Sequence, residues 1–211
     1  MIPTKNEWTE ALIARHGIKL HKRFSSAVVA VCGLGGLGTN VAVALARAGI
    51  GKLVLVDFDC VDISNLHRQQ YKANQVGRYK TEALAENLAE IAPYVEIEIV
   101  TERITEENFI DILKGVDVVC EAFDKAESKA MLVNCVLEQL PECYLVAASG
   151  MAGINSPNSI KTRKIMKRFY LCGDEVSDVK DTMGLIAPRV MLCAAHQAQT
   201  VLRILAGEYE V

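Results

Sequence analysis

The sequence predicts an α/β fold with a doubly wound, mainly parallel sheet, followed by a C-terminal extension and a final helix. Short apolar runs alternate with segments in which apolar residues recur every three or four positions, as in βα units. A length of 211 residues and a hydrophobic fraction of 51% suit a single domain with a substantial core. The charged fraction of 23% is ordinary for a globular protein and excludes a disordered chain.

The apolar runs and periodic segments give the order of the elements. The expected strands are 27–32, 52–57, 95–101, 116–122 and 144–148. The expected helices are 37–48, 80–91, 106–113, 127–140 and a final helix at 185–205. A polar, acidic stretch at 172–183 is expected to be a mobile connection. The single domain, 1–211, is thus divided into an N-terminal helical segment (1–26), a sheet core (27–149) and a C-terminal region (150–211).

Charge and cysteine content narrow the class of protein. A net charge of −3 without clustered Lys and Arg argues against binding of nucleic acid. No apolar run is long enough for a membrane span, and the first residues lack a secretory signal, so we expect a cytoplasmic protein. The seven cysteines include no Cys-x-x-Cys pair, which favours reduced thiols and predicts no bound zinc.

A glycine-rich turn follows the first expected strand. Gly33, Gly35 and Gly38 satisfy G-x-G-x-x-G, the pattern in which backbone N–H groups and a helix N-terminus can approach a phosphate. Asp57 ends the second expected strand, about 20 residues after the last of these glycines, where a carboxylate can accept hydrogen bonds from ribose hydroxyls. These features predict that 27–149 is a Rossmann-like nucleotide-binding core. A nicotinamide-dependent oxidoreductase would show the same features.

Two cations follow Asp57 within one βα unit. Arg68 can contact phosphate oxygens bidentately, and Lys80, at the start of an expected helix, can act as a point charge on them. Asn65 and Gln69 add amide dipoles beside these cations. Because a dehydrogenase has no evident use for this set, the sequence favours a nucleoside triphosphate, and the oxidoreductase remains the alternative from another class.

The motifs GLGGLG and DFDxVxxSNLxRQ, with a glycine-containing segment that ends in Lys80, resemble those of the ThiF/MoeB/HesA superfamily of ubiquitin-activating-enzyme-like adenylating enzymes. The segments EAFD (121–124) and AASGMAG (147–153) look most like the short ThiF-type proteins of thiamine biosynthesis. The resemblance implies a homodimer that uses ATP and Mg²⁺ to adenylate the C-terminal Gly-Gly carboxylate of a small ubiquitin-like sulfur carrier. A molybdopterin-type carrier, a tRNA group and a nucleotide-binding module without turnover are the remaining alternatives.

The resemblance also assigns roles to individual residues. It implies that Asp57 holds the ribose, that Gly36 lies against the nucleotide and that Asp124 binds Mg²⁺. Asp124 follows the fourth expected strand, at the sheet edge where ligands of this architecture bind. The implied catalytic residues are Arg68, Lys80 and Asp124. The implied nucleotide-binding residues are Gly33, Gly35, Gly36, Gly38, Asp57, Asp59, Ser64, Asn65, Arg68, Gln69, Lys80 and Asp124.

The resemblance implies two further residues, a cysteine that becomes linked to the carrier and an arginine supplied by the partner subunit. Many relatives carry a cysteine before the last helix that becomes linked to the carrier, and the nearest thiol here is Cys172. We expect Cys172 to lie in a loop, as either an idle or a reactive thiol. Relatives also take an arginine from the N-terminal segment of the partner subunit, for which Arg15 is the candidate. The C-terminal region, 150–211, would then bind the carrier.

Overall fold

A seven-stranded sheet lies at the centre of the computed structural model, which describes residues 2–211. The strands are β1 (Val28–Cys32), β2 (Lys52–Val56), β3 (Glu96–Val100), β4 (Val118–Glu121), β5 (Tyr144–Ala148), β6 (Lys161–Met166) and β7 (Phe169–Gly173). Their order across the sheet is β3-β2-β1-β4-β5-β7-β6. All neighbours are parallel except β6, which runs antiparallel to β7. The predicted doubly wound, mainly parallel α/β fold is confirmed.

The helices lie close to their predicted positions, with one exception. They are α1 (Lys5–Ser25), α2 (Gly36–Ala48), α3 (Lys80–Ile91), α4 (Phe109–Leu113), α5 (Ala126–Gln139) and α6 (Ala187–Ala206). The helix expected at 106–113 shortens to α4, because the Asn108 side chain accepts a hydrogen bond from the Thr105 N–H and forms a turn before it. Within residues 2–211, no helix is both long and apolar enough to cross a membrane.

Both faces of the sheet are covered by helices, which explains why the strands β1, β2, β4 and β5 read as nearly continuous apolar runs. Alternate residues of β1 point to opposite faces. Val29 and Val31 pack in the hydrophobic cluster that includes α2, α3 and α6, whereas Ala30 and Cys32 pack in the cluster that includes α4 and α5. The order of strands reverses at β1, which pairs with β2 on one side and with β4 on the other. Ligands of this architecture bind at the carboxyl edge of the sheet beside such a reversal.

The C-terminal region adds two strands that the sequence did not predict. β7 joins the sheet beside β5, and β6 forms its antiparallel edge. The connection expected at 172–183 therefore begins only after Gly173 and continues to α6.

The expectation that Cys172 is a loop thiol is wrong. Cys172 lies within β7, between Ala148 of β5 and Thr162 of β6, and is 0% exposed. Burial raises the pKa of its thiol, although the hydroxyls of Thr162 and Thr200 counteract part of the rise. A buried thiol with a raised pKa is a poor nucleophile.

Candidate nucleotide-binding site

The glycine-rich turn between β1 and α2 is too tight for side chains at two of its positions. Gly33 has a φ of 95°, and a Cβ there would lie 2.7 Å from the carbonyl oxygen of Ala122. A Cβ at Gly38 would overlap the carbonyl oxygen of Gly33. The first turn of α2 begins at Gly36 after Gly35, and no side chain caps it. Its N–H groups are therefore available to an anionic ligand.

Asp57 holds this turn in place from the end of β2. Its Oδ2 accepts a hydrogen bond from the Leu34 N–H at 2.6 Å, and its Oδ1 accepts one from the Asp59 N–H at 2.8 Å. Asp57 is 8% exposed, and burial raises the pKa of its carboxyl group, opposed by the Lys80 ammonium 3.9 Å away. Asp57 thus orients the glycine-rich turn and the Asp59 backbone at the same time.

Lys80 is the first residue of α3, as the sequence predicted. Its ammonium lies 2.9 Å from Oδ2 of Asp59, and its side chain is buried. The side chain of Asp59 is half exposed, with a fractional exposure of 51%. Lys80, Asp57 and Asp59 therefore place one buried cation and two carboxylates beside the glycine-rich turn.

The segment after Asp59 is ordered by its own side chains. Asp62 accepts hydrogen bonds from the backbone and hydroxyl of Ser64, and its N–H donates to Oδ1 of Asn65. This short 3₁₀ turn, Ile63–Asn65, directs Asn65 into the cleft. Ser64 does not line the cleft and acts here as part of the turn.

Arg68 and Gln69 present polar groups that the protein itself leaves unsatisfied. The Nε of Arg68 and the Oε1 of Gln69 are buried and have no hydrogen-bond partner within the described part of the chain. Gln69 is 7% exposed and lies against Gly35. Burial lowers the pKa of the Arg68 guanidinium, and Asp124 opposes that shift, so Arg68 keeps its charge. Because unpaired buried polar groups are unfavourable, a ligand that supplied partners to these two side chains would be stabilised here.

These residues line one cleft of about 730 Å³ at the carboxyl edge of the sheet. Asp124, exposed just after β4, lies on its far wall with Lys125 and Lys129. The lining also includes the loop after β5 and part of the connection before α6, namely Ser149, Gly150, Met151, Ser177, Asp178 and Val179. The structure therefore brings Asp57, Arg68, Gln69, Lys80 and Asp124 into one cavity.

The donor set of the cleft fits Mg²⁺ held together with a nucleotide. No group of three His, Cys, Asp or Glu side chains suited to a metal occurs in residues 2–211. Mg²⁺ is commonly held by one or two carboxylates and the phosphates of its substrate rather than by a protein cage. The exposed carboxylate of Asp124, facing the same cleft as Arg68 and Lys80, suits that arrangement.

Of the candidate residues, Gly38, Ser64, Cys172 and Arg15 do not line the cleft, and several residues that do line it were missed. Cys172 is buried in β7, and Arg15 is exposed on α1. A role for Arg15 in the cleft of a partner subunit stays a prediction. Phe58 and Arg103 were missed, although the Arg103 guanidinium lies 4.5 Å from the centre of the Phe58 ring at the cleft wall. Their contact joins the segments that follow β2 and β3 and leaves no local pattern in the sequence.

The fold and the cleft are those of an α/β protein of the nucleotide-binding type. The chain belongs to the ThiF family, whose model matches residues 9–211. Enzymes of this family use ATP to adenylate their substrates. The resemblance seen in the motifs of the sequence is therefore confirmed at the level of the superfamily.

Several relatives match most of this chain. It is 30% identical over 198 residues to the adenylyltransferase and sulfurtransferase UBA4 of Lodderomyces elongisporus, covering 91% of this chain and 43% of the relative. It is 36% identical over 201 residues to the adenylyltransferase and sulfurtransferase MOCS3 of Dictyostelium discoideum, covering 92% and 46%. It is 33% identical over 155 residues to the tRNA threonylcarbamoyladenosine dehydratase of Escherichia coli, covering 72% and 57%. The chain thus spans 43–57% of the length of these relatives.

Solved structures share the fold over the whole chain. The E. coli tRNA N6-threonylcarbamoyladenosine dehydratase in complex with ATP superposes with a TM-score of 0.86 at 22% identity, covering 99% of this chain and 98% of that chain. The E. coli protein MccB, in a structure with ATP, gives a TM-score of 0.71 at 21% identity and covers 99% of this chain and 67% of that chain. These structures establish the architecture of the domain.

Proposed function

We propose that this protein transfers AMP from ATP to a carboxylate, releasing pyrophosphate. The observation that carries the proposal is the cleft in which Arg68, Lys80 and the unpartnered amide of Gln69 surround the glycine-rich turn and face Asp124. A dinucleotide-dependent oxidoreductase would not need two cations and a carboxylate arranged in this way. The alternative of a nicotinamide enzyme is therefore less well supported than adenylation.

The main difficulty of the reaction is to bring one anion to another, and the cations of the cleft would reduce the repulsion between them. A substrate carboxylate is ionised at pH 7 and needs no general base to attack the α-phosphorus. Its oxygen forms a bond to phosphorus while the bond to the leaving pyrophosphate breaks. Arg68, Lys80 and the N–H groups at the start of α2 would stabilise the negative charge that spreads over the phosphates.

The two carboxylates after β2 would orient the nucleoside. Asp57 has its oxygens fixed by the N–H groups of Leu34 and Asp59, so its remaining lone pairs point in defined directions. Asp59 is more accessible and has one oxygen that is not paired with Lys80. Both can accept hydrogen bonds from ribose hydroxyls. Asp124 would hold Mg²⁺, which when bound neutralises phosphate charge and orients the leaving group.

For the substrate, we propose the C-terminal Gly-Gly carboxylate of a small ubiquitin-like sulfur carrier. The matches to the adenylyltransferase and sulfurtransferases UBA4 and MOCS3 extend over 91% and 92% of the chain and so reach into the C-terminal region. A ubiquitin-like modifier-activating enzyme 5 from Caenorhabditis elegans is also 39% identical over 136 residues. We extend the proposal to a carrier of thiamine biosynthesis, because 121–124 and 147–153 resemble short ThiF-type proteins. We also propose a homodimer in which Arg15 contributes to the cleft of the partner subunit.

A carboxylate on tRNA is the other candidate substrate, and the similarity to known proteins supports it better than a carrier of thiamine biosynthesis. Two tRNA threonylcarbamoyladenosine dehydratases, of Haemophilus influenzae and E. coli, are 33% identical to this chain. The E. coli enzyme also matches it in structure over nearly the full length of both chains. A threonylcarbamoyl group carries a carboxylate, so its activation would use the same cleft chemistry. These relatives bear against the expectation, based on net charge, that no nucleic acid is involved.

Exchange of labelled pyrophosphate into ATP tests the proposal and separates the two substrates. We expect exchange that depends on a ubiquitin-like carrier ending in Gly-Gly and that is lost when the last glycine is removed. Asp124→Ala should reduce it by about 100-fold or more, because the phosphate charge loses its main counterion site. Asp111→Ala, an exposed substitution on α4, is the matched control and should behave as the wild type.

Other outcomes assign a different function. Exchange that requires threonylcarbamoylated tRNA instead of a carrier would establish the second candidate. ATP binding without exchange in either case would contradict adenylation and leave a binding module. Retention of a nicotinamide dinucleotide through purification would instead support an oxidoreductase.

A further inference from the structure

A buried ion pair lies directly behind the loop that carries Asp124. Glu121 is the last residue of β4 and is 1% exposed. The ammonium of Lys129, in the first turn of α5, lies 2.9 Å from each oxygen of its carboxylate. Burial raises the pKa of Glu121, and Lys129 counteracts that rise. The pair therefore stabilises a carboxylate that would otherwise be unfavourable in the interior.

The pair also tethers both loops that form the far wall of the cleft. Oε1 of Glu121 accepts a hydrogen bond from the N–H of Phe123, the residue before Asp124, at 2.8 Å. The third donor of the Lys129 ammonium reaches the carbonyl oxygen of Ala148, the last residue of β5, at 3.0 Å. Ala148 leads directly into the loop at Ser149 that lines the cleft. One ion pair thus fixes the starting points of two neighbouring loops.

A third side chain holds the same strand ends from the helix above them. The amide Nε2 of Gln197 in α6 donates to the carbonyl oxygen of Glu121 at 3.0 Å and to that of Val146 at 3.2 Å. Gln197 is 0% exposed. The carboxyl ends of β4 and β5 are therefore held by side chains as well as by the sheet.

Stability alone is a poor explanation for a charged pair at this place. A buried ion pair adds little to the free energy of unfolding compared with a well-packed apolar pair, because the cost of desolvating both charges offsets their attraction. Lys129 lines the cleft but donates all three of its hydrogen bonds to protein oxygens, so it is not free to bind phosphate. Its effect on a ligand must pass through the loops that it holds.

We infer that Glu121 and Lys129 are positioning residues that set the Asp124 carboxylate for Mg²⁺ bound with ATP. The inference rests on the proposed function, in which Asp124 is the magnesium ligand. Outer groups that orient a metal ligand typically change metal affinity by about 10–100-fold when they are removed. The Phe123 N–H bond to Glu121 is the link through which the pair acts on Asp124.

The test measures binding, which is independent of any reaction. The affinity of the wild type for unlabelled ATP is measured by isothermal titration calorimetry with Mg²⁺ and with EDTA, and the ratio gives the magnesium enhancement. We expect Lys129→Met to reduce this enhancement by about 10–100-fold, as Asp124→Ala should, while binding in EDTA persists. Lys129→Arg, which keeps the charge, should recover part of it. Lys167→Met, an exposed lysine outside the cleft, is the matched control.

Folding is checked by thermal unfolding, because Lys129→Met leaves a buried carboxylate unpaired. If that variant does not fold, the double variant Glu121→Gln, Lys129→Met removes both charges and is measured in the same way. A folded variant with the wild-type enhancement would overturn the inference, and so would a wild type that binds ATP without any response to Mg²⁺. A normal magnesium response without pyrophosphate exchange would instead contradict only the proposed function.

Discussion

At the scale of single residues, burial decides which of the seven thiols can react. Cys60 is exposed at the cleft, and the other six cysteines are buried. Cys172 was a reasonable candidate from the sequence, because it precedes a polar, acidic stretch that is typical of a loop. The sequence could not reveal that β6, which is charged and half exposed, pairs with β7, nor that Thr200 of α6 lies against this thiol.

We therefore expect alkylation at Cys60 before any other thiol, and none at Cys172 while the protein is folded. The raised pKa of Cys172 means that less thiolate is present at a given pH than for a free cysteine. Brief treatment with iodoacetamide at pH 8, followed by peptide mass analysis, checks the order of labelling, and urea-unfolded protein is the control. Labelling of folded Cys172 at a rate similar to Cys60 would restore it as a candidate for a covalent step.

At the scale of elements, the turn from β1 into α2 is the part that the sequence predicted best. Its glycines, the helix that follows and the position of Lys80 at the start of α3 are all set by local pattern. The ion pair of Glu121 with Lys129 was not predictable in the same way, because it joins a strand end to a helix that packs beside it. Local pattern thus identified the residues around the glycine-rich turn but only one residue, Asp124, of the opposite wall of the cleft.

Gly38→Ala should damage both the turn and the stability of the protein. The new Cβ would overlap the carbonyl oxygen of Gly33, so the turn must open, at a cost of about 1–3 kcal/mol in the free energy of unfolding. Urea denaturation measures that loss, and ATP binding should weaken with it. Gly35→Ala is the control for stability, because its Cβ would meet only Nε2 of Gln69 at 3.9 Å. Equal stability of the two variants would contradict the tight turn.

At the scale of the whole molecule, Arg189 holds together separate segments of the C-terminal region, 150–211. From α6 its guanidinium donates to the carbonyl oxygens of Ala152, Asn155 and Ser156, and it pairs with Asp174 at 2.5 Å. Both side chains of the pair are almost fully buried. No local pattern in the sequence indicates this contact, because its partners lie on segments that only the packing of α6 brings together.

Arg189→Met should cost about 3–5 kcal/mol in the free energy of unfolding at pH 7, because it leaves Asp174 buried without its partner. Burial alone would raise the pKa of Asp174, but hydrogen bonds from Ser177, Val176 and Arg189 lower it on balance, below 3.8. The stabilisation is therefore present above pH 3.8 and is lost as the pH falls through the pKa of the folded state. Urea denaturation at neutral and acidic pH should show a difference from the wild type that narrows on acidification.

The control for this prediction is Arg163→Met, which removes an exposed ion pair with Glu175. Exposed ion pairs contribute about 0–1 kcal/mol to the free energy of unfolding. A loss of stability for Arg189→Met no larger than for this control would show that the C-terminal region is held by its apolar contacts alone.

The pairing of Lys80 with two carboxylates also affects the free energy with which a polyphosphate would bind. The ammonium is already compensated by Asp59 at 2.9 Å and Asp57 at 3.9 Å, so a phosphate that approaches it competes with carboxylates rather than with water. The gain in free energy is then the difference between two ion pairs, which is smaller than the attraction of an isolated cation. The same competition would weaken the pairing of Asp59 with Lys80 and leave its carboxylate available to a ribose hydroxyl. Binding of the phosphates and binding of the sugar would in this way be linked through the Lys80 ammonium.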